Sequence, residues 1–123
     1  MAKLQGEHVL TLTSAGILER GEPKGEDDGR ITLREPTNKE WNDYDAARFE
    51  FSKKGRLKKD NQSAARSALF DKLAVSVDDI EDDMGPLTVS DLERIPARYK
   101  QRAIFLCFED ESAEDDEGSI EKN

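Results

Sequence analysis

Gly29-Arg30-Ile31-Thr32-Leu33-Arg34-Glu35-Pro36-Thr37-Asn38-Lys39-Glu40-Trp41 passes from one structural period to another within thirteen residues. Its first half alternates, with Ile31 and Leu33 on one face, as a half-buried strand does. Its second half carries a helix start: Thr37 is placed to accept from the amide of Glu40 while Glu40 reaches back, which closes a capping box and predicts a helix from Asn38. A strand running directly into a capped helix requires a sheet and helices around one core, so the stretch predicts an α+β domain.

Working outward, the predicted helix continues to about Ser52, because Trp41, Tyr44, Ala47, Arg48 and Phe51 fall at steps of three or four and gather the aromatics on one stripe. Upstream, His8-Val9-Leu10-Thr11-Leu12-Thr13 is rich in branched residues and predicts another strand. Ser14 to Arg20 is ambiguous, since Ile17 and Leu18 fit either a continuing strand or a short turn. Residues 21–29 are turn formers and charge, expected as a mobile loop.

Downstream, Ser63 to Leu73 predicts a second helix with Ala65, Ala68, Leu69 and Leu73 on one face, and Ala74-Val75-Ser76-Val77-Asp78 switches to a period of two. Ser90-Asp91-Leu92-Glu93 is a second capping-box pattern opening a short helix that Pro96 interrupts. Pro96 then suits the first turn of a last helix, from Ala97 to about Glu109. The apolar arc of that helix is wide, with Phe105 outside the narrow stripe, so the helix is either buried on two sides or offered to a partner. The expected architecture is two or three mainly antiparallel strands packed on three principal helices, within a single domain over residues 1–108.

The chain has 123 residues and a formal charge of −9. Mean hydropathy is −0.83. Residues 109–123 hold eight acidic side chains and one basic, hence −7, so residues 1–108 carry only −2. That C-terminal segment has too little apolar surface to order itself and is expected as a disordered acidic tail. The total of −9 argues against general affinity for phosphate backbones or anionic membranes, and the near-neutral balance of residues 1–108 weakens that inference, since the Lys53 to Lys59 patch survives it.

Several chemistries lack their parts. His8 is the only histidine and Cys107 the only cysteine, so multi-His metal sites and an intrachain disulfide are excluded, and a His-based triad or a Cys-His dyad is not expected of a histidine in a short polar start to a strand. Cys107 sits in the most apolar run, Ala103 to Phe108, as a small buried hydrophobe. The glycines show no phosphate-loop spacing, and Asp78 to Asp83 departs from a calcium-loop order. A carboxylate pair such as Glu35 and Asp45 has nothing placing it around a pocket. No catalytic residue, metal ligand or cofactor is expected, nor an enzymatic activity. No apolar run approaches a membrane span or signal peptide, and a cytoplasmic location is expected.

Lys53-Lys54-Gly55-Arg56-Leu57-Lys58-Lys59 puts five cations in seven residues. With no aromatic interleaved to stack bases, it is expected as a solvated loop between helices, and nucleic acid as an unlikely partner. The alternative is a small acidic adaptor or regulatory protein in which Lys53, Lys54, Arg56, Lys58 and Lys59 contact nucleic acid and the acidic tail competes for them.

Three segments carry a resemblance: Leu33 to Trp41, a strand entering a capped helix; Leu69 to Val77, a helix giving way to a strand; and Ile95-Pro96-Ala97-Arg98-Tyr99-Lys100-Gln101-Arg102-Ala103-Ile104. In pattern and order, residues 31 to about 106 resemble a small tail assembly chaperone of a long-tailed bacteriophage. The resemblance implies a non-enzymatic protein of the host cytoplasm that holds the tape-measure protein competent while tail-tube protein assembles around it, then leaves before the virion is complete. Its partners would be the tape-measure and tail-tube proteins, with self-association possible through a sheet edge. Trp41, Tyr44, Phe51, Phe105 and Phe108 are the candidate contact residues, though a domain this short needs most of its aromatics inside.

Overall fold

The computed structural model describes residues 1–2 and 6–109 and is an α+β fold. Strands β1 (Glu7–Leu12), β2 (Leu18–Arg20), β3 (Gly29–Arg34) and β6 (Ala74–Asp78) form an antiparallel sheet in the order β2-β1-β3-β6. The helices are α1 (Asn38–Ala47), α2 (Gln62–Leu73) and α3 (Ala97–Ile104), with a 3-10 helix over Val89–Arg94 before the last. Two hairpins stand apart from the sheet: β4 (Phe49–Phe51) with β5 (Leu57–Asp60), and the two-residue strands β7 (Glu81–Asp82) and β8 (Gly85–Pro86). The ambiguous segment after Ser14 resolves as a turn followed by β2, so the sheet has four strands rather than two or three.

Register explains the core. Leu10 lies opposite Ile31, and Ile31 opposite Val77, so these residues share the face that packs on Leu69, Phe70 and Leu73 of α2 and on Ala103 and Ile104 of α3. Thr11 and Thr32 are nevertheless buried on the other face, where the Thr11 hydroxyl donates to the Gly21 carbonyl at 2.6 Å. Gly29 is required by close approach: a Cβ there would run into the Ile80 side chain and come within 3.0 Å of the Asp79 carbonyl.

The strand-to-helix junction forms as the sequence predicts. Thr37 caps α1, accepting from the Glu40 amide at 3.1 Å, and Glu40 accepts from the Thr37 amide at 2.9 Å. The same carboxylate takes both ends of the Arg34 guanidinium, at 2.7 and 2.6 Å, tying β3 to α1. The Arg34 hydrogen bond, then that of Thr37, hold the Glu40 carboxyl down at about 2. Lys100 on α3 is buried with its ammonium 2.8 Å from Asp71 on α2, a charge pair across the main helix–helix contact.

The observed elements differ from expectation in several places. The first helix ends at Ala47, not Ser52, because Phe49-Glu50-Phe51 also has strand alternation and finds a partner across the turn at Gly55, whose φ is +82°. Lys53 to Lys59 is therefore the turn and second strand of a hairpin rather than an interhelix loop. The second capping box uses Thr88 and Asp91 in place of Ser90 and Glu93. Residues 21–29 hold local bonds: Asp28 accepts from the amides of Gly25 at 3.0 Å and Ser14 at 3.3 Å, and Arg30 reaches Glu22 at 3.1 Å. α3 continues into a π-helical turn over Phe105–Glu109, so Glu109 belongs to the folded body rather than to the tail. The rest of the expected tail, 110–123, lies outside the described residues.

Candidate interaction surface

The five aromatic candidates do not form one surface. Tyr44 is only 4% exposed, its ring 5.2 Å from that of the half-buried Trp41, and Trp41 lies 6.1 Å from Phe108. Phe108 in turn meets the His8 ring edge to face at 4.8 Å, and His8 bonds Glu35. This aromatic run ties α1 and the C-terminal turn to β1, a structural use that removes Tyr44 as a contact residue. Phe105, on the outer side of the last helical segment, is 36% exposed beneath the Arg102 guanidinium.

Beneath the aromatic run, the Tyr44 hydroxyl donates to Glu109 at 2.9 Å, and Arg66 on α2 donates to both oxygens of that carboxylate, at 2.7 and 3.1 Å. Arg48, at the C-terminus of α1, stands 3.7 Å away. Burial, reinforced by the adjacent Glu109 carboxylate, pushes the Tyr44 hydroxyl up to about 12. Burial also raises the Glu109 carboxyl, but the hydrogen bonds from Arg66 and Tyr44 and the two guanidinium charges outweigh it, leaving it below its ordinary value. Glu109 was legible in sequence only as part of an acidic run; nothing local distinguishes it from its neighbours.

Phe51 is the candidate that reaches solvent, at 58% exposure, and it does so from the β4–β5 hairpin. Leu57 lies directly opposite and is 56% exposed, while the Phe49 ring is 6.1 Å from that of Phe51. One face of the arm is thus an apolar ladder. Lys53, Lys54, Arg56, Lys58 and Lys59 are all exposed around it, and none forms an ion pair with a described residue. Leu57 was missed in sequence because it was counted with the charges around it. The alternation of Phe49 and Phe51 before the turn at Gly55, with Leu57 just after it, is the signal that finds it.

A cleft of about 460 Å³ opens between the sheet and the start of α3, floored by Leu12, Leu18, Ile31 and Leu87 and edged by Tyr99. Arg94 and Asp82 line it as a pair, with Arg94 Nε 3.1 Å from Asp82 Oδ2, so these two charges satisfy each other, and Glu81, Asp83 and Arg98 line it as well. Glu35 is engaged by His8 and Asp45 by Arg48, at 3.0 Å, each occupied in its own ion pair. Burial pushes the Cys107 thiol up to about 12, far from a reactive thiolate. Among the described residues no group of three or more His, Cys, Asp or Glu side chains is arranged to hold a metal ion, and no helix is long and apolar enough to cross a membrane. No protein-family model, curated protein or solved structure matches the chain.

Proposed function

We propose that the protein is a non-enzymatic tail assembly chaperone of a long-tailed bacteriophage, acting in the host cytoplasm by reversible contact with the tape-measure protein during recruitment of tail-tube protein. The observation that supports this reading most is the β4–β5 arm, which presents Phe51 and Leu57 side by side, outside the main sheet, among five exposed cations. An apolar ladder gives grip on an amphipathic helix, and exposed charge keeps each contact weak enough to release. The three segments behind the resemblance also meet in one body: β3 pairs with β6, and α2 packs on α3.

Co-expression with the tape-measure protein of the same phage should raise the solubility of that protein and yield a copurifying complex. The pair Phe51→Ser and Leu57→Ser should reduce capture without unfolding the domain, since both side chains already face solvent. Absence of copurification would reject the reading. The five cations, with no ion-pair partner among the described residues, favour a second reading, an adaptor whose two-stranded arm contacts nucleic acid, because a β-ribbon of this kind fits a major groove. It requires a mobility shift at low salt that weakens steeply with added salt; no shift at low salt removes it.

A further inference from the structure

We propose that the chain's own acidic segment, residues 110–123, docks on the β4–β5 hairpin and covers its cations until a partner displaces it. The surface is the arm carrying Lys53, Lys54, Arg56, Lys58 and Lys59. These cations have no ion-pair partner among the described residues, whereas Arg34, Arg48, Arg66 and Arg94 in the body are all matched to carboxylates. The occupant is the C-terminal acidic segment: residues 110–123 hold seven acidic side chains and one basic, while the acidic run at residues 78–83 is built into the body, where Asp82 is already paired with Arg94.

The folded body fixes where that segment starts. Glu109, the residue before it, is held by Arg66 at 2.7 Å and lies 3.7 Å from Arg48. Arg48 forms the foot of the hairpin: its carbonyl accepts from the Asn61 amide at 2.7 Å, closing the two strands, and its guanidinium covers the Phe49 ring at 5.3 Å. Its Nε is buried with no acceptor among the described residues. Residues 48 and 109 are far apart in sequence, so only the tertiary structure brings the root of the acidic segment to the root of the basic arm.

Reach and strength both suit a reversible cover. Fourteen residues span at most roughly 45–50 Å, several times the length of a four-residue strand at ~3.4 Å per residue. A tether this short keeps the acids at an effective concentration in the millimolar range. Each exposed ion pair is weak and screened over about 10 Å at 0.1 M salt, so the cover loosens with salt and yields to a better-fitting partner. The cations on α3, Arg98 and Arg102, are a competing landing site, which the resonances of the residues around them report in the same experiment.

The test compares the full chain with a full-length variant bearing Glu114→Gln, Asp115→Asn, Asp116→Asn and Glu117→Gln. At low salt, the backbone amide resonances of residues 53–59 should differ between the two. Trypsin cleavage after the hairpin cations should be about tenfold faster in the variant, a protection equivalent to ~1.4 kcal/mol. Both differences should vanish at about 0.5 M salt, where the Debye length is a few ångströms. Identical hairpin resonances and cleavage rates at low salt would overturn the proposal, as would resonance changes confined to the residues around Arg98 and Arg102. Because no partner is present, failure here leaves the function proposed above untouched, and failure of copurification leaves this result standing.

Discussion

Replacing Glu109 by alanine removes the single carboxylate that Arg66, Tyr44 and Arg48 share. The side chain is 14% exposed and that of Arg66 22%, so the guanidinium left behind is poorly hydrated. A hydrogen bond to a charged group contributes about 1.5–3 kcal/mol, and breaking a fully buried pair costs about 3–5 kcal/mol. Since water still reaches both partners, a loss of about 2–3 kcal/mol follows, which in a domain of this size lowers Tm by roughly 10–15 °C. Urea unfolding followed through Trp41 emission reads it directly, because that ring packs against both Tyr44 and Phe108. Glu109→Gln keeps an acceptor without the charge and should lose about half as much. The sign of the pH dependence follows from the lowered folded-state carboxyl: the stabilisation is fully present above the unfolded value of about 4.3 and disappears as pH falls through the folded one. The acid limb of stability should therefore be shallower in Glu109→Gln than in the parent chain. A loss under about 0.5 kcal/mol for Glu109→Ala, the range of ordinary surface substitutions, would refute the assignment of Glu109 to the folded body.

Leu33, fully buried at the centre of the sheet, should cost about 2–5 kcal/mol when cut to alanine, measured in the same urea series. Gly29→Ala should destabilise by about 1–3 kcal/mol, with altered amide shifts at Asp79 and Ile80, because the added methyl meets both. Cys107 should resist a thiol reagent at pH 8 in the native protein and react fully in denaturant; rapid native labelling would contradict its burial.

Elements specified by neighbouring residues were legible in the sequence. The strand over Gly29–Arg34, the cap at Thr37 and the passage from Leu73 into a strand all rest on contacts or periods a few residues long, and the structure has them where those patterns fall. Phe51 shows where that reasoning stops. Its spacing from Tyr44 and Ala47 fits a helix as well as its spacing from Phe49 fits a strand, and the choice turned on pairing with Leu57 across Gly55. Likewise the pattern Ser90 to Glu93 satisfies a capping box, yet Thr88 with Asp91 forms it. Two overlapping boxes cannot both set one helix start, and the backbone entering from β8 selects the earlier.

The candidate surface divides along the same line. Composition alone established an acidic chain with one histidine, one cysteine, a basic cluster at residues 53–59 and an acidic run at the end. Which aromatics are spent inside and which face solvent was set by packing: Tyr44 is in the core, its hydroxyl on Glu109, while Phe51 lies beyond the end of α1 and reaches solvent. Local chemistry determines caps, periods and charge runs because the groups involved are joined by a few bonds. The placement of Glu109 beside Arg48 depends on contacts between residues far apart along the chain, which only the closed core brings together.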